Sequence, residues 1–492
     1  MTFQSYAFLL GFLPFVLAGS AALRAWVPAL LKPFLIAASL GFFASWEPAG
    51  LPVFLASIVG NRLAVLGLHR ATAPSLRRAI LVGAIAGNLG LLVWFRYLTA
   101  WLGGLDAILG TGLAFPEPLA LLGVSFFTFT QIGYLLDCHA GIEPRRSLGD
   151  HLLFVTFFPG LIAGPILTAR EMMPQIASLD RRPVGFEDLA RGAGIFLIGL
   201  LKKTLLADPL APMVAEGHAD PAALSLFGAW QVGLGYLLQL YFDFSGYSDM
   251  AVGLARMVGL RYPWNFASPY QARSVIDYWQ RWHISLTRFF MATLHAPLAM
   301  AILRWRRSRG LGVDRAAQRR PAGFLAMHAA PLVVTMALAG VWHGASLTFL
   351  VFGLLHALFL SVNHLWRLLR PGPPRGGWRA VASVGLTCLC VLVGSVFFRA
   401  SSVGAAVDLL AGMAGARGLG PVVLSPRALA EATTLVVLLG IVWCAPNTRR
   451  IMEDDRLWSW RPTLPWAVAS GIATTLGLLS AGGTAEFLYA RF

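Results

Sequence analysis

The chain has 492 residues, of which 57% are hydrophobic and only 13% charged. A soluble domain of this size needs far more polar surface, so the composition excludes a soluble globular protein and favours a polytopic membrane protein. The formal net charge of +16 comes mainly from arginines spread over many short loops. That distribution is typical of loop anchoring under the positive-inside rule and of attraction to anionic membrane lipids, and no basic face indicates nucleic-acid binding.

Apolar runs of spanning length recur along the whole chain. At ~20 residues per span they predict roughly eleven to thirteen membrane helices and an all-α polytopic fold. Four shorter runs are expected to be tilted, re-entrant or broken, and these are 34–45, 50–59, 246–260 and 286–303.

Two of the apolar runs contain residues that a simple span does not favour. Residues 157–165 include two prolines and two glycines, which predict a broken helix whose freed backbone groups are satisfied by neighbouring protein. Lys202 and Lys203 lie inside another run. They either snorkel to the membrane interface, which is the favoured interpretation, or meet an anionic group.

The run from Tyr241 to Met250 places two acids, Asp243 and Asp249, in strongly apolar sequence. Ionisable groups in a membrane are costly and usually face a bundle interior or a wet cavity, so this run is a candidate functional site. Gly246 between the acids predicts a kink or the close approach of another helix.

Residues 272–290 are predicted to form one amphipathic helix. Asp277 and Arg281 are four residues apart, as are Trp279 and His283, so each pair is expected to share a helix face. An Asp–Arg pair on an interfacial helix is more often structural than catalytic, and the structural interpretation is favoured.

Two histidines are the candidates for acid–base chemistry. His283 has hydrogen-bonding neighbours in Arg281 and Ser285, and His343 lies in the triplet Trp342–His343–Gly344 between two apolar runs. A neutral imidazole can take a proton near physiological pH, which the acylation of a hydroxyl requires of a base. His343 is therefore the first candidate for the general base. No converging set of metal ligands, such as an H-E-x-x-H helix, is present.

Seven arginines follow within one loop. The favoured interpretation is a cytoplasmic loop under the positive-inside rule, and a compatible one is attraction of an anionic donor such as an acyl-coenzyme A. The arginines are Arg304, Arg306, Arg307, Arg309, Arg315, Arg319 and Arg320.

Eight short motifs stand in order through most of the chain. They are Gly123–Val–Ser–Phe–Phe–Thr–Phe129, Phe158–Pro–Gly–Leu–Ile–Ala–Gly–Pro165, Leu201–Lys–Lys–Thr204, Tyr241–Phe–Asp–Phe–Ser–Gly–Tyr–Ser–Asp249, Tyr278–Trp–Gln–Arg–Trp–His–Ile–Ser–Leu286, Val341–Trp–His–Gly–Ala345, Phe398–Arg–Ala400 and Pro446–Asn447. With them the sequence resembles the membrane-bound O-acyltransferase (MBOAT) family, and within it the bacterial alginate O-acetyltransferase-like branch.

The resemblance implies a single integral-membrane domain over 1–492, with a family core at about 119–400 and a catalytic region at 241–345. It implies a helical bundle around a central tunnel, with His343 as the catalytic histidine and His283 as a supporting one near the narrow waist. Further residues are expected to support the reaction or line the tunnel, and these are Trp342, Asp243, Tyr247, Asp249, Asp277, Trp279, Arg281, Trp282 and Ser285.

The implied activity is transfer of an acetyl group from acetyl-CoA, across a bacterial inner membrane, to hydroxyls of an exported polysaccharide. Acetyl-CoA would be a donor substrate rather than a bound cofactor, and a periplasmic acetyltransferase is the expected partner protein. The alternatives are D-alanyl or other acyl transfer to a cell-envelope polymer, a proton-coupled transporter, and a structural scaffold. The stretch 291–298 departs from the Arg-Asp-Tyr-Leu-Tyr-x-Pro-Leu pattern of the family.

Overall fold

The computed structural model describes residues 1–110, 121, 123–143, 146–372, 376–420, 425–454, 459–482 and 487–488. These residues form helices and connections without a strand, which confirms the predicted all-α polytopic class. The expected start of the family core, residues 119–120, lies outside them. The chain forms two compact units. The first consists of Met1–Leu205, Phe244–Trp264 and Thr448–Phe492, and the second of Leu206–Asp243 and Asn265–Asn447.

One long helix, Leu226–Met257, contributes residues to both units. The other α-helices of the first unit are Leu13–Trp26, Leu31–Ala44, Leu51–Arg70, Pro74–Arg96, Leu98–Leu109, Val124–His139, Leu148–Thr156, Phe158–Leu161, Ala169–Ala177, Phe186–Leu201, Thr448–Glu453 and Leu464–Leu479. Those of the second unit are Ala211–Ala219, Val275–Trp279, Ile284–Phe290, Ala296–Ser308, Arg315–Arg319, Pro321–Phe324, Ala330–His343, Leu347–Leu369, Trp378–Arg399, Val403–Met413 and Pro426–Cys444. Turns of π-helix occur at Ala7–Phe12, Lys202–Ala207, Met291–His295 and Leu325–Ala329, and turns of 3₁₀-helix at Pro28–Leu30, Pro48–Gly50, Asp208–Leu210, Pro221–Ala223 and Pro269–Gln271.

Eight helical segments of the described chain are long and apolar enough to cross a membrane. They are Ala7–Trp26, Pro48–Arg70, Pro74–Arg96, Ile284–Ser308, Pro321–His343, Leu347–Leu369, Trp378–Arg399 and Pro426–Cys444. Three shorter apolar helices accompany them, at Pro28–Ala44, Val403–Met413 and Leu464–Ser480. Fewer described segments are both long and apolar enough for a full span than the eleven to thirteen predicted, and runs such as 151–168 are interrupted by breaks in the helix.

Two of the short runs that were expected to be tilted, re-entrant or broken lie in full-length spans, 50–59 in Pro48–Arg70 and 286–303 in Ile284–Ser308. In the first case the helix continues past the polar residue Asn61, because neighbouring groups satisfy its side chain. Its amide exchanges hydrogen bonds of 3.1 and 2.8 Å with that of Asn88 on the next helix. A buried polar residue therefore joins two spans here instead of ending one.

The predicted break at 157–165 is confirmed. The helix Leu148–Thr156 ends, the short helix Phe158–Leu161 follows, and the chain then runs irregularly to residue 168. The backbone N–H of Phe158 has no partner within a helix and donates instead to Ser39 Oγ at 3.1 Å. A side chain from another helix thus satisfies a backbone group that the break leaves free.

The favoured snorkelling interpretation of Lys202 and Lys203 is wrong. Lys202 Nζ lies 2.6 Å from Asp249 Oδ2, which also accepts a hydrogen bond of 2.5 Å from Thr448 Oγ1, and Lys203 is 2% exposed. The buried carboxylate holds the ammonium inside the first unit, since a buried charge is stable only when it is paired. Gly246 makes the pairing possible by close helix approach, as predicted: an added Cβ would lie 2.7 Å from the carbonyl oxygen of Gly199.

In the second unit, helices Ala330–His343 and Leu347–Leu369 pack as a tight antiparallel hairpin. Glycines face each other across it. A Cβ on Gly340 would lie 2.2 Å from the carbonyl oxygen of Phe349, and one on Gly353 would lie 2.2 Å from that of Met336. Small residues at such crossings let membrane helices approach to backbone contact. The hairpin fixes where its closed end, and therefore His343, can lie.

We expect Gly353→Ala to lower the thermal stability of the purified protein. The new methyl group meets backbone atoms that cannot move separately, and overpacking of this kind costs about 1–3 kcal/mol. Gly385→Ala is the matched control, because it adds the same methyl group to the next long helix, where no atom lies within 4 Å. Equal melting temperatures for the two variants would contradict the close packing of the hairpin.

Candidate active site

His343 is the last residue of its helix and lies at the closed end of the hairpin. Its side chain is buried among aromatic rings, with centroid distances of 4.8 Å to Phe398, 6.1 Å to Phe352 and 6.2 Å to Phe349. The helix ends because Gly344 adopts extended backbone with φ 166° and ψ 170°. Within such an enclosure, hydrogen bonds to the ring nitrogens are stronger than they are in water.

His283 has an unusual backbone conformation. It lies between helices Val275–Trp279 and Ile284–Phe290 with φ +41°, in the left-handed region. Among the described residues, only Ser268 shares a positive φ without being glycine. A left-handed non-glycine residue costs on the order of 1–3 kcal/mol, and such residues cluster at functional sites.

Asn265 holds the chain immediately after His283. Its backbone carbonyl accepts a hydrogen bond of 3.0 Å from the N–H of Ile284. Its side-chain oxygen accepts two more from Ser285, of 3.1 Å from the backbone N–H and 2.9 Å from Oγ. These three hydrogen bonds fix the backbone that carries the imidazole in its strained conformation.

Trp342 lies beside both histidines. Its ring centroid is 4.8 Å from that of His343 and 6.4 Å from that of His283, and all three side chains are buried in the second unit. Burial lowers the pKa of His283 to about 3, because desolvation penalises the charged imidazolium. His283 is therefore a neutral hydrogen-bonding group at physiological pH. The two predicted catalytic histidines meet around one indole ring.

The prediction of one amphipathic helix over 272–290 is wrong, because the chain turns at residues 280–283. Trp279 and His283 consequently do not share a helix face. Trp279 Nε1 donates instead to Nδ1 of the buried His356 at 3.2 Å. Because of this turn, His283 lies beside Trp342, whereas Trp279 is hydrogen-bonded to His356.

The predicted Asp277–Arg281 pair is present, and its contacts are with the backbone around it. Arg281 Nε lies 2.7 Å from Asp277 Oδ1, and both side chains are half-buried. Asp277 Oδ2 accepts a hydrogen bond of 3.1 Å from the N–H of Arg273. Trp282, the next predicted residue, packs against Phe266 with a centroid distance of 5.1 Å. These contacts support the shape of the segment, in keeping with the structural interpretation.

The predicted residues of the long helix fall in different units. Asp243 is buried in the second unit, which also contains the histidines. Tyr247 and Asp249 belong to the first unit. There Tyr247 is stacked between Phe3 and Phe487, at 4.8 and 4.3 Å, and Asp249 forms the ion pair with Lys202.

Sequence reasoning missed two residues that touch this region. Asn265 lies in an aromatic stretch outside the candidate motifs, although a lone amide between Trp264 and Phe266 is a signal for a buried hydrogen-bonding role. His356 has no carboxylate motif beside it in the sequence. Its partner is an indole N–H on another segment, which no local pattern reveals.

The sequence was compared with families and known proteins. The family described as MBOAT, membrane-bound O-acyltransferase family, matches residues 139–310. A peptidoglycan O-acetyltransferase of Helicobacter pylori is 33% identical over 481 residues, which cover 91% of this chain and 86% of the relative. A probable alginate O-acetylase AlgI of Azotobacter vinelandii is 34% identical over 426 residues, 84% of this chain and 78% of the relative. A teichoic acid D-alanyltransferase of Bacillus subtilis is 25% identical over 297 residues, 58% of this chain and 72% of the relative.

The similarity to the peptidoglycan O-acetyltransferase and to the alginate O-acetylase covers most of this chain and most of each relative. It extends well beyond the segment that the family match covers. It confirms the family that the eight motifs indicated, and with it an O-acyltransferase in a multi-pass membrane protein. The chain belongs to the membrane-bound O-acyltransferase family.

Proposed function

We propose that this membrane O-acyltransferase moves an acetyl group from acetyl-CoA to a hydroxyl of an exported polysaccharide, with His343 as the general base. The observation that carries the proposal is the meeting of two buried histidines around Trp342 in one unit. A buried imidazole beside hydrogen-bonding groups is suited to taking a hydroxyl proton, a contribution of about 10²–10⁴-fold to the rate.

In the proposed reaction the acceptor oxygen attacks the thioester carbonyl as its proton moves to the neutral imidazole of His343. The tetrahedral intermediate then expels the thiolate of coenzyme A, which takes the proton from the imidazolium, and the new ester bond remains on the acceptor. Charge that develops on the carbonyl oxygen needs hydrogen-bond donors fixed in advance. Trp342 Nε1–H and His283 are the proposed donors.

The arginine-rich loop supports an anionic donor. Six of its seven arginines are exposed, and all seven lie in or next to helices Ala296–Ser308 and Arg315–Arg319. Coenzyme A carries several negative charges, so exposed arginines raise its local concentration. We place this loop on the cytoplasmic side of a bacterial inner membrane, and we propose a central tunnel in which donor and exported acceptor meet.

The acceptor is proposed from the relatives. Their names specify peptidoglycan and alginate acetylation, which favours a glycan hydroxyl as the acceptor. We further propose an extracytoplasmic partner protein that receives or positions the glycan. The name of the more distant relative specifies D-alanyl transfer to teichoic acid. Transfer of D-alanyl or another acyl group to a cell-envelope polymer is therefore the second candidate.

The test is transfer of radiolabel in proteoliposomes that contain the purified chain. Acetyl-CoA, a longer acyl-CoA and a D-alanyl thioester are supplied as donors, each with alginate oligosaccharides or de-acetylated peptidoglycan fragments as acceptors. We expect labelled ester on a glycan with acetyl-CoA as the best donor. Preference for the D-alanyl thioester would favour the second candidate, and no transfer from any donor would contradict both.

A further inference from the structure

The side-chain amide of Asn265 has a hydrogen-bonded oxygen and an NH₂ group without a hydrogen-bond partner among the described residues. Its Oδ1 accepts hydrogen bonds from the backbone N–H and the Oγ–H of Ser285. A backbone N–H can only donate, so the oxygen of the amide must be the atom that faces Ser285. This fixes the assignment of the other terminal atom, Nδ2, as the free donor end of the group.

Nδ2 is buried without a hydrogen-bond partner among the described residues, and Asn265 is 1% exposed. Most buried polar groups are paired, since leaving one unpaired costs free energy, and each exception needs an explanation. The amide cannot simply rotate to find a partner, because Oδ1 would then lose two hydrogen bonds. A donor held in place and left unpaired is poised for an acceptor that arrives with a ligand.

The position of this amide links it to the proposed chemistry. Asn265 binds Ile284 and Ser285, the two residues that follow His283, and it lies in the same unit as His343. An NH₂ group has only donors, so the ligand atom must be an acceptor. In acyl transfer the acceptor that gains negative charge is the carbonyl oxygen of the acyl group.

We propose that Asn265 Nδ2–H donates a hydrogen bond to the acyl carbonyl oxygen, which it binds most tightly in the tetrahedral intermediate. The inference rests on the proposed function and adds to it a donor that is neutral and fixed in advance by its bonds to Ser285. As the acceptor oxygen attacks, the C=O π electrons move onto the carbonyl oxygen facing Nδ2. They return when the C–S bond breaks and the thiolate leaves.

The deciding variant is Asn265→Asp. The new carboxylate keeps an acceptor for Ser285 but replaces the NH₂ donor by an oxygen. Loss of one oxyanion donor lowers kcat by about 10²–10³-fold with little change in the KM of the donor substrate. The activity relative to that of the unsubstituted chain should rise again as the pH is lowered, because a protonated carboxyl carries an O–H donor. A purely structural role predicts that the melting temperature recovers together with the activity, because protonation also removes a buried charge, whereas an oxyanion donor predicts recovery of kcat without a matching change in melting temperature.

Asn363→Asp is the matched control, since Asn363 Oδ1 accepts from the N–H of Ile276 in the same segment, at 3.4 Å. It introduces the same charge and should leave kcat near that of the unsubstituted chain. If the Asn265→Asp protein does not accumulate, Asn265→Ser takes its place. The serine hydroxyl is too short to bind Ser285 and the acyl carbonyl oxygen at the same time. We therefore expect kcat to fall while the KM of the donor substrate stays unchanged.

The outcomes separate the inference from the proposed function. Acyl transfer by the unsubstituted chain with unchanged kcat in the Asn265 variants overturns the inference alone. A raised donor KM at constant kcat also overturns it, because the amide would then bind donor and intermediate equally. Loss of activity that parallels a lower melting temperature at every pH assigns Asn265 to structure only. If the unsubstituted chain transfers no acyl group from any donor, the proposed function fails and the inference with it.

Discussion

A His343→Ala chain should insert into the membrane as the unsubstituted protein does and transfer no measurable acyl group. The alanine removes the proposed base and leaves the end of the hairpin, Gly344 included, as it is. Without a base the acceptor hydroxyl must lose its proton to water, and the loss of about 10²–10⁴-fold brings the rate to the limit of most transfer assays. The measurement is the initial rate of label transfer in proteoliposomes.

His364→Ala is the matched control for this experiment. His364 belongs to helix Leu347–Leu369, the second helix of the same hairpin, and its ring stacks on that of His328 at 6.0 Å. Its removal deletes an imidazole from the hairpin without touching the proposed site, so the transfer rate should hold. Full activity in the His343→Ala chain, with the melting temperature unchanged, would remove His343 from the mechanism.

The second large effect is expected at His283, where backbone and side chain can be tested separately. His283→Ala and His283→Gly both delete the imidazole, but only alanine must bear the positive φ of +41°. We expect both variants to lose activity alike, by about 10²-fold or more if His283 supplies an oxyanion donor. The alanine variant should be the less stable by on the order of 1 kcal/mol, measured by thermal unfolding.

Ser268→Gly is the control for the effect of the positive backbone φ. It relieves the other positive φ among the described non-glycine residues, +50°, and leaves both histidines in place. Its activity should match that of the unsubstituted protein. If glycine at 283 restored the rate that alanine lost, the backbone conformation rather than the imidazole would be the feature that matters there.

The sequence predicted the class of fold, because that class follows from local composition. The catalytic roles of the two histidines stay predictions, and the structure brings both rings beside Trp342. Long apolar runs require helices in a bilayer, and an imidazole inside apolar sequence is costly wherever it lies. The pairing of Asp277 with Arg281 also followed from helical spacing, and the structure contains it. These are features that a few neighbouring residues determine.

The features that the sequence did not predict depend on partners far along the chain. Lys202 pairs with Asp249, which also accepts a hydrogen bond from Thr448, and both partners lie on other segments. The run around Lys202 alone could therefore not distinguish snorkelling from pairing. The chain after the turn at residues 280–283 is held by Asn265, which lies eighteen positions before His283 and accepts hydrogen bonds from Ile284 and Ser285. In both cases tertiary hydrogen bonds overrode the local pattern.

The division of the chain has a consequence for biosynthesis. Every residue of the second unit precedes Thr448, whereas the first unit needs its last segment, Thr448–Phe492. The ribosome therefore delivers the complete set of histidine-bearing helices while the first unit still lacks a segment. Until Thr448 emerges, Asp249 has Lys202 but not the threonine hydroxyl that completes its hydrogen bonding. The N-terminal spans must therefore wait in the membrane until the segment that begins at Thr448 is made, and this segment completes the first unit.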